Sequence, residues 1–186
     1  MIDFSSVKKV KEVFKGAPHE VKCTKFLNEI VGKEIGEQMG PLQDGQIIHI
    51  ATDARWSLHE LLVYLVSQTG PARLHFCTYA IKEFQARLLG SMKEAGVLTE
   101  IHALVDYRFV KFDPQAEQLL KSVATSHKWA DRLHGKATVL SNDKWMVCVV
   151  GSANFTTNTS RDTLVVCTHR VSAEYWIDWI TKKIKE

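Results

Sequence analysis

His134 and Lys136 stand two residues apart in His134-Gly135-Lys136, and a strand turns residues i and i+2 to the same face. On the strand expected over His134 to Leu140, one imidazole and one ammonium therefore point at a common spot. A second polar group follows at Gly151-Ser152-Ala153-Asn154, where an apolar run stops. There a glycine lets backbone come close to a ligand, and a hydroxyl and an amide can donate to phosphate oxygens. Attack on phosphorus needs such a set: a nucleophile in line, with a cation and fixed donors on the non-bridging oxygens. Histidine suits the first role because its ordinary pKa lies near neutrality. Taken singly, His134 reads as a structural histidine and Lys136 as a solvated edge-strand charge. Together with Gly151 to Asn154 they read as a phosphate site.

The elements that must position these residues follow from periodicity. Val7, Val10, Val13 and Phe14, then Phe26, Leu27, Ile30 and Val31, recur at helical spacing, with Ser6 and Thr24 as N-caps, so two short amphipathic helices are expected before Gly40-Pro41. From Gly45 the pattern becomes strand and helix in alternation: a strand over Ile47 to Ala51, a helix carrying Leu58, Leu61, Leu62 and Leu65, and a strand over Ala72 to Tyr79. Next come a helix with Phe84, Leu88 and Met92 closed by Gly96, and a strand from Val97 to Val105. This β-α-β-α-β order is the mark of an α/β layered domain. After Pro114 a short helix leads to the His134 strand, and a turn at Ser141 to Lys144 makes a hairpin with Trp145 to Val150. A strand over Thr163 to Thr168 and a last helix, capped by Ser172 and packed through Tyr175, Trp176, Trp179 and Ile180, complete the chain. Those rings read as core or dimer contact in preference to base stacking.

The motif resembles that of the phospholipase D superfamily, H-x-K-x4-D followed six residues later by G-S-x-N. His134, Lys136, Gly151, Ser152 and Asn154 match in order, and Gly151 through Phe155-Thr156 is similar to the G-S-x-N-F-T form of small bacterial nucleases in that superfamily. The likeness runs from about Gly45 to the C-terminus. It implies an α/β fold, a mixed β-sheet flanked by helices on both faces, with residues 42–186 as the phospholipase D-like domain and 1–41 as an N-terminal helical extension. It also implies catalytic roles for His134, Lys136, Ser152 and Asn154, and substrate contacts for Gly151, Thr156 and Asp162. Asp162 falls near a family glutamate that orients a catalytic histidine; a helix or strand cap explains it equally well. Thr156 and Asn158 line the phosphate pocket or merely form the turn. In the family, one histidine attacks phosphorus to give a phosphohistidine while a second, from another motif, protonates the leaving oxygen. None of His19, His49, His59, His75, His102, His127 and His169 has lysine two residues on, so the resemblance implies a homodimer in which each copy supplies His134. No metal or other cofactor is implied.

Two departures stand out: the aspartate position holds Ser141, and Gly151 comes three residues late. An enlarged hairpin accounts for both and moves the carboxylate to Asp143, or leaves it facing solvent. Asp53 and Arg55 follow the first strand at the sheet edge where α/β folds bind ligands; a helix-start ion pair explains them as well.

Composition narrows the setting. In 186 residues, 45% hydrophobic, 24 Lys and Arg against 21 Asp and Glu leave +3, which permits a nucleic-acid partner without demanding one. Cys23, Cys77, Cys148 and Cys167 lack C-x-x-C spacing and are expected as buried thiols. No signal peptide or membrane span is expected, and a cytoplasmic location is the default. Three functions fit: a metal-independent nuclease on DNA or RNA, a hydrolase or transferase on phospholipid head groups, and a non-catalytic phosphate- or nucleic-acid-binding module.

Overall fold

Strand alternation sets the two faces of the sheet. In β3 (Ala72–Thr78), Leu74 and Phe76 enter one core while His75 and Cys77 face the other. The computed structural model describes residues 23–27, 35–52, 54, 56–110, 112–157 and 160–186. Its other strands are β1 (Cys23–Leu27), β2 (Gln46–Ala51), β4 (Leu98–Asp106), β5 (Ser126–Ala130), β6 (Ala137–Ser141), β7 (Met146–Gly151) and β8 (Thr163–Cys167). They form one eight-stranded sheet in the order β1-β2-β8-β7-β6-β3-β4-β5. Pairing is parallel in β1/β2, β3/β4 and β4/β5, and antiparallel across the centre from β2 to β3.

Helices cover both faces. Leu61, Leu62 and Leu65 of α2 (Leu58–Thr69), Ala86 and Leu89 of α3 (Glu83–Glu94) and Leu120 of α5 (Pro114–Val123) share the larger core with Phe76 and Val149. On the opposite face α6 (Arg170–Lys185) lays Ala173, Trp176 and Ile180 over Cys77, Ala137, Val139 and Cys148. Two short helices, α1 (Ile35–Met39) and α4 (Tyr107–Val110), complete the described elements. The mixed sheet and its two helical layers are those expected.

Local chemistry fixes several ends. The Glu60 carboxylate accepts from the Ser57 amide at 2.7 Å, closing the first turn of α2. Gly96, at φ 72°, donates to Lys93 O while Val97 N donates to Met92 O, a Schellman motif that ends α3 as expected. Asp113 caps α5, its Oδ1 accepting from Ala116 N, with Pro114 in the first turn.

Five readings need correction. Phe26 and Leu27 lie in β1, not a helix; β2 had an open edge whose amides and carbonyls a parallel strand satisfies. The helix expected around Val7 to Phe14, together with Ile30 and Val31, lies outside the described residues. Strand β6 starts at Ala137, three residues after His134, because the chain first turns at Asp131-Arg132, where Arg132 takes φ 53°. Strand β5 went unanticipated: Ser-His-Lys-Trp-Ala shows no apolar alternation, and every residue stays partly exposed at the sheet edge. Helix α6 begins at Arg170 after His169, with Ser172 inside the first turn donating its amide to His169 O at 3.1 Å. Tyr175 in that helix is 61% exposed and packs edge-on against Trp176 rather than into the core. Cys77, Cys148 and Cys167 are buried free thiols.

Candidate active site

Four chain ends meet at one edge of the sheet: the start of β6, the end of β7, the start of β8 and the end of β3. The register joins them, with Cys77 opposite Ala137, Ala137 opposite Val150, and Gly151 opposite Leu164. His134 is exposed on the segment leading into β6, and its ring lies 5.7 Å from the Tyr79 ring just past β3. Lys136 is buried; its Nζ donates to the His134 carbonyl at 2.9 Å and sits 6.0 Å from the centre of the same Tyr79 ring. The two side chains thus share a neighbourhood through Tyr79, not through the strand pleat that their spacing suggested. Burial pushes the Lys136 ammonium below the ordinary lysine range, opposed by the Cys77 thiol and the Asp162 carboxylate nearby. Burial likewise raises the Cys77 thiol to about 11, against the Ala137 amide and the Lys136 charge. A lysine held in low dielectric beside a carboxylate is a strong partner for an anion that displaces water.

Gly151 serves the sheet itself. A Cβ there would lie 2.1 Å from the Thr163 carbonyl oxygen, so only glycine lets β8 approach this closely. That same carbonyl accepts from Ser152 N at 3.0 Å, which turns Ser152 out of the ladder. Its hydroxyl donates to Asp162 Oδ1 at 2.5 Å and accepts from Thr163 N at 3.1 Å. Asp162 is tied further to buried Thr52, through Asp162 N to Thr52 Oγ1 at 2.9 Å and Thr52 N to Asp162 O at 2.8 Å. Side chains then alternate: Ala153 and Phe155 are buried anchors, with Phe155 4.7 Å from the Phe76 ring, while Ser152 and Asn154 remain more accessible. Asn154 Oδ1 accepts from Thr78 Oγ1 at 3.2 Å, which leaves the amide NH2 as the end able to donate to a ligand oxygen.

Of the residues singled out from sequence, His134, Lys136, Gly151, Ser152, Asn154 and Asp162 gather at this edge. Thr156 follows the Phe155 anchor and is half-buried. Asp143 is exposed in the hairpin turn beyond the far end of β6, and Ser141 is buried at that end opposite Arg73, so neither is beside His134. Asp53, Arg55 and Asn158 lie outside the described residues. Sequence reasoning missed Thr52, Thr78 and Tyr79, although each closes or follows a strand at the edge where α/β sheets bind ligands. It also missed Asp106 and Arg108 at the end of β4. There Asp106 Oδ1 accepts from Arg108 N and Nε, and Oδ2 from Nη2 at 2.9 Å. The Arg108 hydrogen bonds hold the Asp106 carboxyl below its usual range and fix the guanidinium 5.4 Å from the Tyr79 ring.

The crystal structure of Nuc, a phospholipase D family member from Salmonella typhimurium, superposes with a TM-score of 0.52 over 73% of this chain and 91% of that one, at 13% identity. The fold is phospholipase D-like. NucT from Helicobacter pylori gives the same answer, with a TM-score of 0.54 over 73% of this chain and 94% of that one, at 15% identity. No protein-family model and no curated protein matches the sequence. At such identities the phospholipase D-like fold is what the likeness carries, and the chemistry must be argued from this chain's own residues. Among the described residues no group of His, Cys, Asp or Glu is arranged to hold a metal ion, and no helix is long and apolar enough to cross a membrane.

Proposed function

We propose that the protein is a phosphodiesterase, a nuclease that uses His134 as its nucleophile in a composite site of a homodimer. The observation that carries this reading is the meeting of exposed His134, buried Lys136, Asn154 and the Ser152–Asp162 pair at one sheet edge. The neutral His134 imidazole of one copy attacks phosphorus, and the P–O bond to the leaving oxygen breaks. The second copy's His134, as imidazolium, gives that oxygen its proton. Water then attacks the phosphohistidine, losing its proton to the second imidazole, and His134 is released. Lys136 and the Asn154 amide offset charge on the non-bridging oxygens throughout. Ser152 and Asp162 serve to hold the loop and keep a carboxylate near the lysine. Nucleic acid is the preferred substrate because the Gly151–Thr156 sequence resembles the form found in small nucleases of the superfamily.

Ser141 in the aspartate position favours a non-catalytic binding module. Its place answers that reading: four strand residues separate it from Lys136, on the order of 15 Å of chain, so the groups proposed to hold the phosphate are untouched by it. The test is cleavage of DNA and RNA in excess EDTA. Cutting persists in EDTA and His134→Ala abolishes it, by a factor of at least about 10^3. Cutting that survives His134→Ala in a clean preparation, or activity confined to phospholipid, refutes the assignment.

A further inference from the structure

Among the described residues few large apolar side chains are exposed; Phe112, at 73%, is the most exposed of them and follows α4 past the end of β4, and Phe84, at 60%, lies near the start of α3 past the end of β3, the sheet edge that also carries the candidate site. A line of contacts runs from His134 toward Phe112. The His134 ring touches Tyr79 at 5.7 Å, Tyr79 meets the Phe109 ring at 6.3 Å, and Lys82 Nζ lies 5.1 Å from the centre of Phe109. Lys82 pairs with Asp113 at 3.7 Å, next to Phe112, whose amide donates to Phe109 O at 3.0 Å. Phe84, two residues beyond Lys82, is held edge-on against His59 at 5.4 Å. Arg108, clamped by Asp106, sits over the Tyr79 ring, 5.4 Å from its centre. The wall therefore sets rings beside cations and leaves the Phe84 and Phe112 side chains exposed.

We propose that Phe84 and Phe112, set beside Lys82 and Arg108, form a track on which the bases of single-stranded nucleic acid stack as the strand enters the His134 site. This rests on the nuclease reading and names its substrate class. An exposed phenyl ring gains nothing from water, whereas an unpaired base offers it a flat π-face and each neighbouring cation offers a phosphate partner. A duplex keeps its bases stacked on one another and presents only phosphates, so the rings discriminate between the two. The Glu83 and Asp113 carboxylates flank the same rings and oppose any polyanion alike, so it is the nuclease reading that favours a strand over an anionic lipid surface. Phe84 is oriented in advance by His59, which lowers the ordering cost of binding.

The experiment measures affinity for an oligo-dT strand and for a blunt DNA duplex at one fixed salt concentration, alongside hydrolysis of bis(p-nitrophenyl) phosphate. Phe84→Ala and Phe112→Ala each weaken oligo-dT binding roughly tenfold, the size of one lost stacked base. Phe112→Trp keeps it, and duplex affinity and hydrolysis of the small diester do not change. The track is overturned if the double variant binds oligo-dT as before, or loses strand and duplex equally. It is overturned in favour of a lipid surface if only binding to phosphatidylglycerol vesicles falls. Absence of small-diester hydrolysis in the unsubstituted protein defeats the nuclease reading, while the binding comparison still decides the track.

Discussion

At the scale of single residues, Gly151 was read from sequence as room for a ligand; the room is taken by the Thr163 carbonyl. Gly151→Ala must push β8 away from β7, loosening the hydrogen bonds that aim Ser152 and fix Asp162. The expected cost is about 2 kcal/mol of unfolding free energy, of the order that overpacking a closed site brings, measured by urea unfolding. A change below about 0.5 kcal/mol, the range of a neutral surface substitution, contradicts the steric account. The site residues themselves were legible because histidine, lysine, serine and asparagine carry their chemistry in their types and in a fixed order. Thr52 and Thr78 were not, since a threonine at a strand end has the same look whether it orients a carboxylate or merely ends the strand.

At the scale of elements, β3 and β4 place His75 and His102 side by side, rings stacked at 4.2 Å with His75 buried. Burial first, then the neighbouring His102 and Arg73, lower the His75 pKa from 6.5 to about 4, with Glu100 opposing. The folded chain therefore binds fewer protons than the unfolded chain between those values, and stability falls as pH drops from 6.5 to about 4 and levels off below. The loss is on the order of 2 kcal/mol, allowing for partial solvent screening. Urea midpoints across that range should slope less for His75→Phe than for the parent, and equal slopes would refute the linkage. The alternating runs that became β2, β3, β4, β7 and β8 were readable because burial on one or both faces dictates their side chains. Edge strands β1 and β5 were not: pairing on one side asks little of their sequence, and Phe26 and Leu27 suit a helix and a strand alike. The missing pleat at His134 has a related cause, since a backbone turn at Arg132 leaves no hydrophobic signature.

At the scale of the whole molecule, one chain brings a single His134 to the sheet edge, while the proposed reaction needs a nucleophile and a separate proton donor. In the proposed reaction the second comes from another copy, a symmetric arrangement in which the same patch meets itself. Subunit mixing tests this most directly. Parent chains and His134→Ala chains are unfolded together in equal amounts, refolded so that they pair at random, and assayed for phosphodiester cleavage per total protein. If both imidazoles serve one phosphorus, mixed pairs are inactive and activity falls to about a quarter of the parent's, the share of pairs with two intact copies. Activity near half, as separate and self-sufficient sites would give, contradicts the composite site.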